Sequence, residues 1–407
     1  MIRRVIYTVF IFIILCTSIF GIIAYAKGYR FNANDKKLTT TGIMSVSSYP
    51  DKASILLDGK LVGVSSASLS LSPKWYDVKI TKEGYQAWEK RIRLQGEIVS
   101  QVDALLIPAN PSLRTLTVNG VVAPVLSPSR SRVAYIIPSE ASSSSVVKSR
   151  TGLWVFDLRT GPFGTKNEPK QIFEPKSHYD WSFVKLYWSP DEKQVIITFI
   201  KTDKKKDTVI QALQVPTEGN TNYYTDITNQ LNTIFADWKI INQEKKDAQI
   251  NALPVSVTKL LTKSVDHIDF APDESKILYL ATSSSSLETV INPPLIGSNP
   301  TEEKRSVKPG NYYIYDEKED KNYFISEAKN LTSPEAIIWY SDSKHVVTIE
   351  SGSIFILDFD GTNRRTVYAG PFVDNIIFPW PSGERLAILT NLNNTKAFPN
   401  LYELDLR

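Results

Sequence analysis

Two kinds of hydrophobic pattern divide this chain. Residues 5–26, VIYTVFIFIILCTSIFGIIAYA, run without a charge between Arg3-Arg4 and Lys27. About 20 helical residues at 1.5 Å each cross a hydrocarbon core, so this run reads as one membrane-spanning helix. Tyr7 near one end and Tyr25 and Tyr29 near the other fit the interfacial positions that aromatic side chains favour. Beyond residue 41 the apolar residues come in short runs, many with period two, and Pro, Gly, Asp and Ser separate them. That pattern predicts short strands joined by turns.

The first group of strands lies in 42–108, after a linker over 31–41. Met44-Ser45-Val46-Ser47 alternates, Pro50-Asp51-Lys52-Ala53 turns, and Ser54-Ile55-Leu56-Leu57 runs into Asp58-Gly59, a hairpin signal. Tyr76-Asp77-Val78-Lys79-Ile80 alternates again up to Glu83-Gly84. Six or seven such strands predict a small β-sandwich. The order Gly42, Val46, Pro50-x-x-Ala53, Leu57-Asp58-Gly59, Gly63, Leu71, Tyr76-Asp77-Val78 and Glu83-Gly84-Tyr85 resembles the PEGA domain. The eponymous turn departs from it, reading Pro-Asp-Lys-Ala. The resemblance implies an extracytoplasmic surface module without catalytic residues. Trp75, Tyr85 and Trp88 are expected in its core, with sugar stacking as the alternative.

From 112 onward one grammar repeats: an apolar strand, a Ser/Ala-Pro-Asp-like turn and a second apolar strand. The turns are Ser127-Pro128-Ser129, Ser189-Pro190-Asp191, Ala271-Pro272-Asp273, Ser341-Asp342-Ser343 and Pro381-Ser382-Gly383. Four of the repeats continue into a strand with an acidic end, as in Leu153-Trp154-Val155-Phe156-Asp157 and Ile354-Phe355-Ile356-Leu357-Asp358. Antiparallel strand sets repeated in this way predict propeller blades. The turn followed by an apolar strand resembles the WD-like blades of TolB-type propellers. The fold class expected is therefore all-β: an N-terminal transmembrane helix (anchor 1–30), the 42–108 sandwich, and a five- or six-bladed β-propeller over 112–407. A helical insertion is expected at about 228–263, where strand alternation stops. The 112–118 segment, SLRTLTV, is expected to pair beside 401–406 and close the ring.

Lys and Arg total 47 against 43 Asp and Glu, and the excess lies entirely in the first thirty residues. The body is neutral, which argues against nucleic acid as a partner. Cys16 is the sole cysteine, and Leu15 before it does not suit a lipoprotein signal. His178, His267 and His345 stand far apart, at no metal-ligand spacing. Asp358-x-Asp360-Gly361-x-Asn363 has part of a calcium-loop pattern, without the distal Glu, and reads better as a hairpin turn. No catalytic, cofactor or metal residue is named, and no enzyme is expected.

The short charged tail before the span predicts a single-pass membrane protein, held through residues 5–26, with its C-terminal domains extracytoplasmic. Ala24-Tyr25-Ala26 leaves a second course open, secretion after cleavage following Ala26. The expected function is a binding or scaffold protein of the cell envelope whose propeller holds a protein or glycan. The alternatives are a glycan-active enzyme using face-loop carboxylates, or a structural spacer. The long connections 138–150, 201–207, 281–310 and 391–400 mark one propeller face as the expected binding face. They carry serine tracts at 142–145 and 283–286 and the run Lys204-Lys205-Lys206. Deleting 283–308 is expected to leave the fold intact and abolish partner binding.

Overall fold

The uncharged run folds as helix α1 (Ile2–Ala26), whose window Ile6–Ile23 has a mean hydropathy of 2.6. Every side chain in that window is exposed, so none of the described residues covers it. The computed structural model describes residues 2–26, 29–32, 37–139, 150–159, 161, 167–175, 179–203, 206–333, 336–392 and 398–406. His178, the serine tract 142–145, and Lys204 and Lys205 lie outside these residues. The chain forms two compact units: 1–110 with 291–303 and 318–320, and the remainder of 111–407.

In the first unit a ribbon of β1 (Tyr29–Asn32) and β2 (Lys37–Thr40) precedes two sheets. One sheet has β3 (Gly42–Tyr49) between β6 (Ala67–Leu71) and β9 (Val99–Leu105). The other runs β5 (Lys60–Val64), β4 (Ser54–Leu57), β7 (Lys74–Thr81), β8 (Trp88–Leu94). Alternation decides what enters the core: Met44, Val46, Ile55, Leu57, Val78, Ile80, Trp88 and Val102 meet between the sheets. Asp58 and Gly59 both take positive φ, 50° and 78°, which is what a two-residue hairpin with the strands' twist requires. Trp88 is buried and Tyr85 packs on the same core, but Trp75 is 44% exposed beneath the Arg91 guanidinium. It sits on the outward face of β7, so the expectation of a core Trp75 is corrected.

The second unit contains five four-stranded antiparallel sheets among the described residues. Blade 1 is β11 (Val122–Leu126), β12 (Arg132–Ile137), β13 (Gly152–Asp157) and β14 (Lys170–Phe173). Blade 2 is β15 (Val184–Trp188), β16 (Gln194–Asp203), β17 (Lys206–Pro216) and β18 (Thr225–Asp226). Blade 3 uses β19 (Val265–Phe270), β20 (Lys276–Ala281), β23 (Asn311–Asp316) and β24 (Lys321–Glu327), with a side ribbon of β21 (Ser285–Ser286) and β22 (Ser306–Val307). Blade 4 is β25 (Ile337–Trp339), β26 (His345–Glu350), β27 (Ser353–Asp358) and β28 (Arg365–Tyr368). Blade 5 is β29 (Ile377–Pro379), β30 (Arg385–Thr390), β31 (Asn400–Asp405) and, as its outer strand, β10 (Ser112–Thr115). Ser112 pairs Asp405 and Thr115 pairs Tyr402, so the ring closes as expected, the start of the propeller chain on its end. Asn400 Oδ1 reinforces the seam by accepting from Thr117 Oγ1 and the Gly120 N–H.

Neighbouring blades pack face to face. One buried cluster joins Ile136 and Leu153 of blade 1 to Leu186, Trp188 and Ile197 of blade 2, and another joins Tyr135 and Phe156 of blade 1 to Phe378 of blade 5 and Trp380 just after its strand. Between blades 2 and 3 the arrangement changes. Helix α2 (Leu231–Asn251) sets Leu231, Ile234, Phe235 and Trp238 on Ile196 and Ala212 of blade 2. Its end, Ile250, and helix α3 (Val255–Lys263) cover Ile277, Tyr279 and Tyr313 of blade 3. The helices thus bury the two sheet faces that neighbouring blades bury elsewhere. They lie within the expected 228–263 insertion, and the ring has five sheets with a helical pair in the gap.

Candidate functional site

Each blade's first two strands are joined by the same hydrogen-bonded turn. The N–H of Arg130, Glu192, Glu274, Ser343 and Gly383 donates to the carbonyl three residues earlier, on Ser127, Ser189, Ala271, Tyr340 and Trp380. Those five donors all take left-handed φ, between 57° and 71°. Pro at the second turn position in four blades pre-sets φ there, which explains the sequence grammar. The bonding also shifts the register read from sequence: in blades 4 and 5 the turns begin at Tyr340 and Trp380, one residue before Ser341 and Pro381. In blades 2 to 4 the third turn residue, Asp191, Asp273 or Asp342, accepts backbone N–H bonds through its carboxylate. The carboxyls of Asp191, Asp273 and Asp342 lie below the usual carboxylate range. For Asp191 the bond from Ser189 Oγ is the largest cause; for Asp273 and Asp342 their bonds and, at Asp342, the His345 charge outweigh burial.

Behind the turns lies a layer of charge. The first residue of the second strand faces an Asp at the end of the third in four blades: Arg132 and Asp157, Lys276 and Asp316, His345 and Asp358, Arg385 and Asp405. Blade 2 has Gln194 opposite Pro216, and instead supplies Glu192 to blade 1. Glu192 accepts from Arg132 Nη2 at 2.8 Å and from the Ser129 N–H. In blade 4 the buried His345 ring stands between Asp342, 2.6 Å from Nδ1, and Asp358, 3.2 Å from Nε2. Burial alone would lower its pKa; the two carboxylates override it and push it up to about 10. An imidazolium locked between two carboxylates beneath a turn is a brace, closed to a substrate.

The turns gather at one mouth of the ring, and α2 runs up beside them. Two contiguous clefts flank it. The first, about 460 Å³, is lined by Arg130, Lys245, Lys246, Asp269, Trp339 and Pro381 among others. The second, about 580 Å³, is lined by Tyr187, Trp188, Phe235, Trp238, Lys239 and Asn242 among others. Pro128, Asn242 and Lys246 border both. Arg130 Nη2 lies 2.7 and 2.8 Å from the two carboxylate oxygens of Asp269. Blades 1 and 3 are not neighbours, so this pair spans the mouth. Asp269 is held in turn by the Trp339 indole, which donates to its carbonyl at 3.0 Å. Glu274, the other acid of the first cleft, accepts from Gln249 Nε2 of α2 at 2.7 Å.

The clefts lie on the face opposite the long connections, not on the face that the sequence marks as the expected binding face. Successive strands alternate in direction, so the connections between second and third strands emerge away from the turns. Of these, 140–149 and 393–397 lie outside the described residues. Residues 201–203 pair with 206–208 and continue the β16–β17 ladder. In the 281–310 connection, Ser285 and Ser286 pair in the side ribbon, and residues 291–303 join the first unit, where Asp320 accepts the Ile291 N–H at 2.9 Å. Leu287 and Val307 are buried on blade 3, so deleting 283–308 would remove core side chains, against the expectation that the deletion leaves the fold intact. The Asp358–Asn363 segment is the β27–β28 hairpin turn, its carboxylates taking Thr362 and Asn363 donors. Among the described residues no cluster of metal-ligating side chains occurs.

Sequence comparison agrees with the first unit's architecture. Residues 41–110 match the PEGA domain family. The PEGA domain supplies the sandwich behind the apolar helix, and the match does not extend into the propeller. No curated protein matches the chain. Similar solved structures include a putative TolB from Agrobacterium tumefaciens, at 12% identity over 69% of this chain and 76% of that one, with a TM-score of 0.23. TolB from Acinetobacter baumannii is 13% identical over 82% of this chain and 60% of its own, with a TM-score of 0.24. An oligogalacturonate lyase in complex with manganese is 10% identical over 90% and 91%, with a TM-score of 0.23.

Proposed function

We propose that this chain is a non-enzymatic binding or scaffold protein of the cell envelope, anchored by α1, with the PEGA domain and propeller outside the cytoplasm. The propeller holds its partner at the turn-side mouth. The observation that carries the reading is the pair of clefts flanking α2, where rigid turns from four blades and one helix converge. Both carboxylates that line them, Asp269 and Glu274, are committed to protein partners, which favours recognition over acid–base chemistry. A photocrosslinking residue at Asn242 tests this in cells. Crosslinks to a defined partner from Asn242, and none from Ser283 on the opposite face, are expected. Equal crosslinking from both positions would remove the mouth as the site. Protease access to the propeller in intact cells, and retention of the chain in carbonate-washed membranes, test the topology.

A further inference from the structure

Helix α2 presents its residues to the clefts in a fixed order. Phe235, Trp238, Asn242 and Lys246 recur at helical spacing, so they form one stripe, aromatic at its start and cationic at its end. Tyr187 of blade 2 extends the aromatic part, with its ring 4.9 Å from Phe235, and Phe235 lies 5.8 Å from Trp238. These rings are tilted by 59° and 50° to one another, so they offer edges and a crevice rather than the flat platform a sugar ring stacks on. The helix carries three acids of its own, Asp237, Glu244 and Asp247, but none of them lines the clefts, and its lysines there are unpaired. Among the described residues Lys239, Lys245 and Lys246 make no ion pair, and Arg130 Nη1 has no hydrogen-bond partner while Nη2 holds Asp269. The two acids that line the clefts, Asp269 and Glu274, are already engaged, so the lining itself is net positive. A net positive, apolar-backed groove on an otherwise neutral body points to an anion with an apolar anchor.

We propose that the clefts beside α2 receive an acidic segment of a partner protein, with carboxylates on Lys239 and Lys246 and an apolar side chain against Tyr187 and Trp238. Lys239 and Lys246 are seven residues apart on the helix, about 10.5 Å along its axis. An extended peptide covers that distance in about three residues. The matching segment therefore carries two acids three positions apart, followed by an aromatic or large aliphatic residue. This rests on the mouth being the partner site and adds the chemistry of the partner.

The test uses the full chain in nanodiscs and three fluorescein-labelled Gly/Ser dodecapeptides read by anisotropy. Each carries one Trp, preceded by two Glu, two Gln or two Lys three positions apart. The Glu peptide is expected to bind, to weaken as NaCl is raised, and to lose about tenfold in affinity in a Lys239→Glu, Lys246→Glu variant. Lys239 is exposed and Lys246 half-buried on the helix surface, and circular dichroism of the variant checks that it still folds. Trp238→Ala is expected to weaken the Glu peptide without changing its salt dependence. Saturable binding of the Gln peptide as tight as the Glu peptide, lost in Trp238→Ala, would keep the mouth as a site and overturn the acidic partner. Absence of Glu-peptide binding, an unchanged affinity after charge reversal, or tighter binding of a uronate polysaccharide or a single-stranded oligonucleotide at the same residues would also overturn it. The Asn242 crosslink is read separately, so a defined crosslinked partner alongside a failed Glu peptide removes only the acidic assignment.

Discussion

Lys79 and Glu89 in the PEGA domain stand in the same relation as His345 and Asp358 in blade 4. Each pair faces across two antiparallel strands. Lys79 and Glu89 are 2.7 Å apart on the sheet's outer face, with about half of each side chain in water (48% and 54%). His345 and Asp358 are 3.2 Å apart with 6% and 10% exposed. The outer pair belongs to a ladder with Asp77 and Arg91, whose charges water screens. The inner one belongs to a layer shared between strands and blades, in which losing one partner strands another in low dielectric. The same cross-strand pattern is thus decoration in one unit and framework in the other, and burial makes the difference.

The comparison breaks most visibly at His345. His345→Leu leaves Asp342 and Asp358 without their shared cation and is expected to cost about 3–5 kcal/mol of propeller stability. Hydrogen exchange of β25–β28 peptides against urea measures it; a loss below 1 kcal/mol would put the buried layer on a par with the outer ladder. The pH dependence sharpens the same point. The folded pKa of His345, about 10, exceeds its ordinary 6.5. Its stabilisation is therefore full below about pH 6.5 and fades as pH rises through about 10, and the Leu variant is expected to lack that decline. Urea midpoints across this range, wild type against variant, provide the check.

Glu192→Ala comes next, at about 2 kcal/mol, because it orphans Arg132 and the Ser129 N–H together. The loss should appear as faster exchange in both blades 1 and 2. Gly59→Ala places a Cβ at a φ of 78° in the hairpin and is expected to cost about 1 kcal/mol in the PEGA domain, leaving propeller exchange unchanged. Smallest is the outer ladder itself. Lys79→Ala with Glu89→Ala is expected to change PEGA-domain stability by less than about 0.5 kcal/mol. A larger loss would show that the exposed pair is more than surface decoration.

Much of the architecture was legible because it is local. The apolar run, the Asp58-Gly59 hairpin and the Pro-containing turns each depend on residues within a few positions of one another. The SLRTLTV strand could be placed because the last blade was one strand short, and α2 and α3 because alternation stopped where they begin. Even so, the turn register slipped in blades 4 and 5, since Ser341 and Pro381 look like turn starts until the backbone bonds are seen.

The candidate site was much less legible. Nothing in the chain near residue 130 announces Asp269, and nothing near His345 singles out Asp358 as its second carboxylate. The one available signal was the basic residue at the start of the second strand with an Asp at the end of the third, which recurs in four of the five blades. By itself, then, the sequence determined the strands, turns, helices and ring closure, because short-range backbone preferences and apolar periodicity encode them. Only the tertiary structure decided which mouth carries the clefts, which charges are buried and which lysines are left without an ion pair. Those depend on how blades remote in sequence meet around a closed ring, and no local pattern carries that distance.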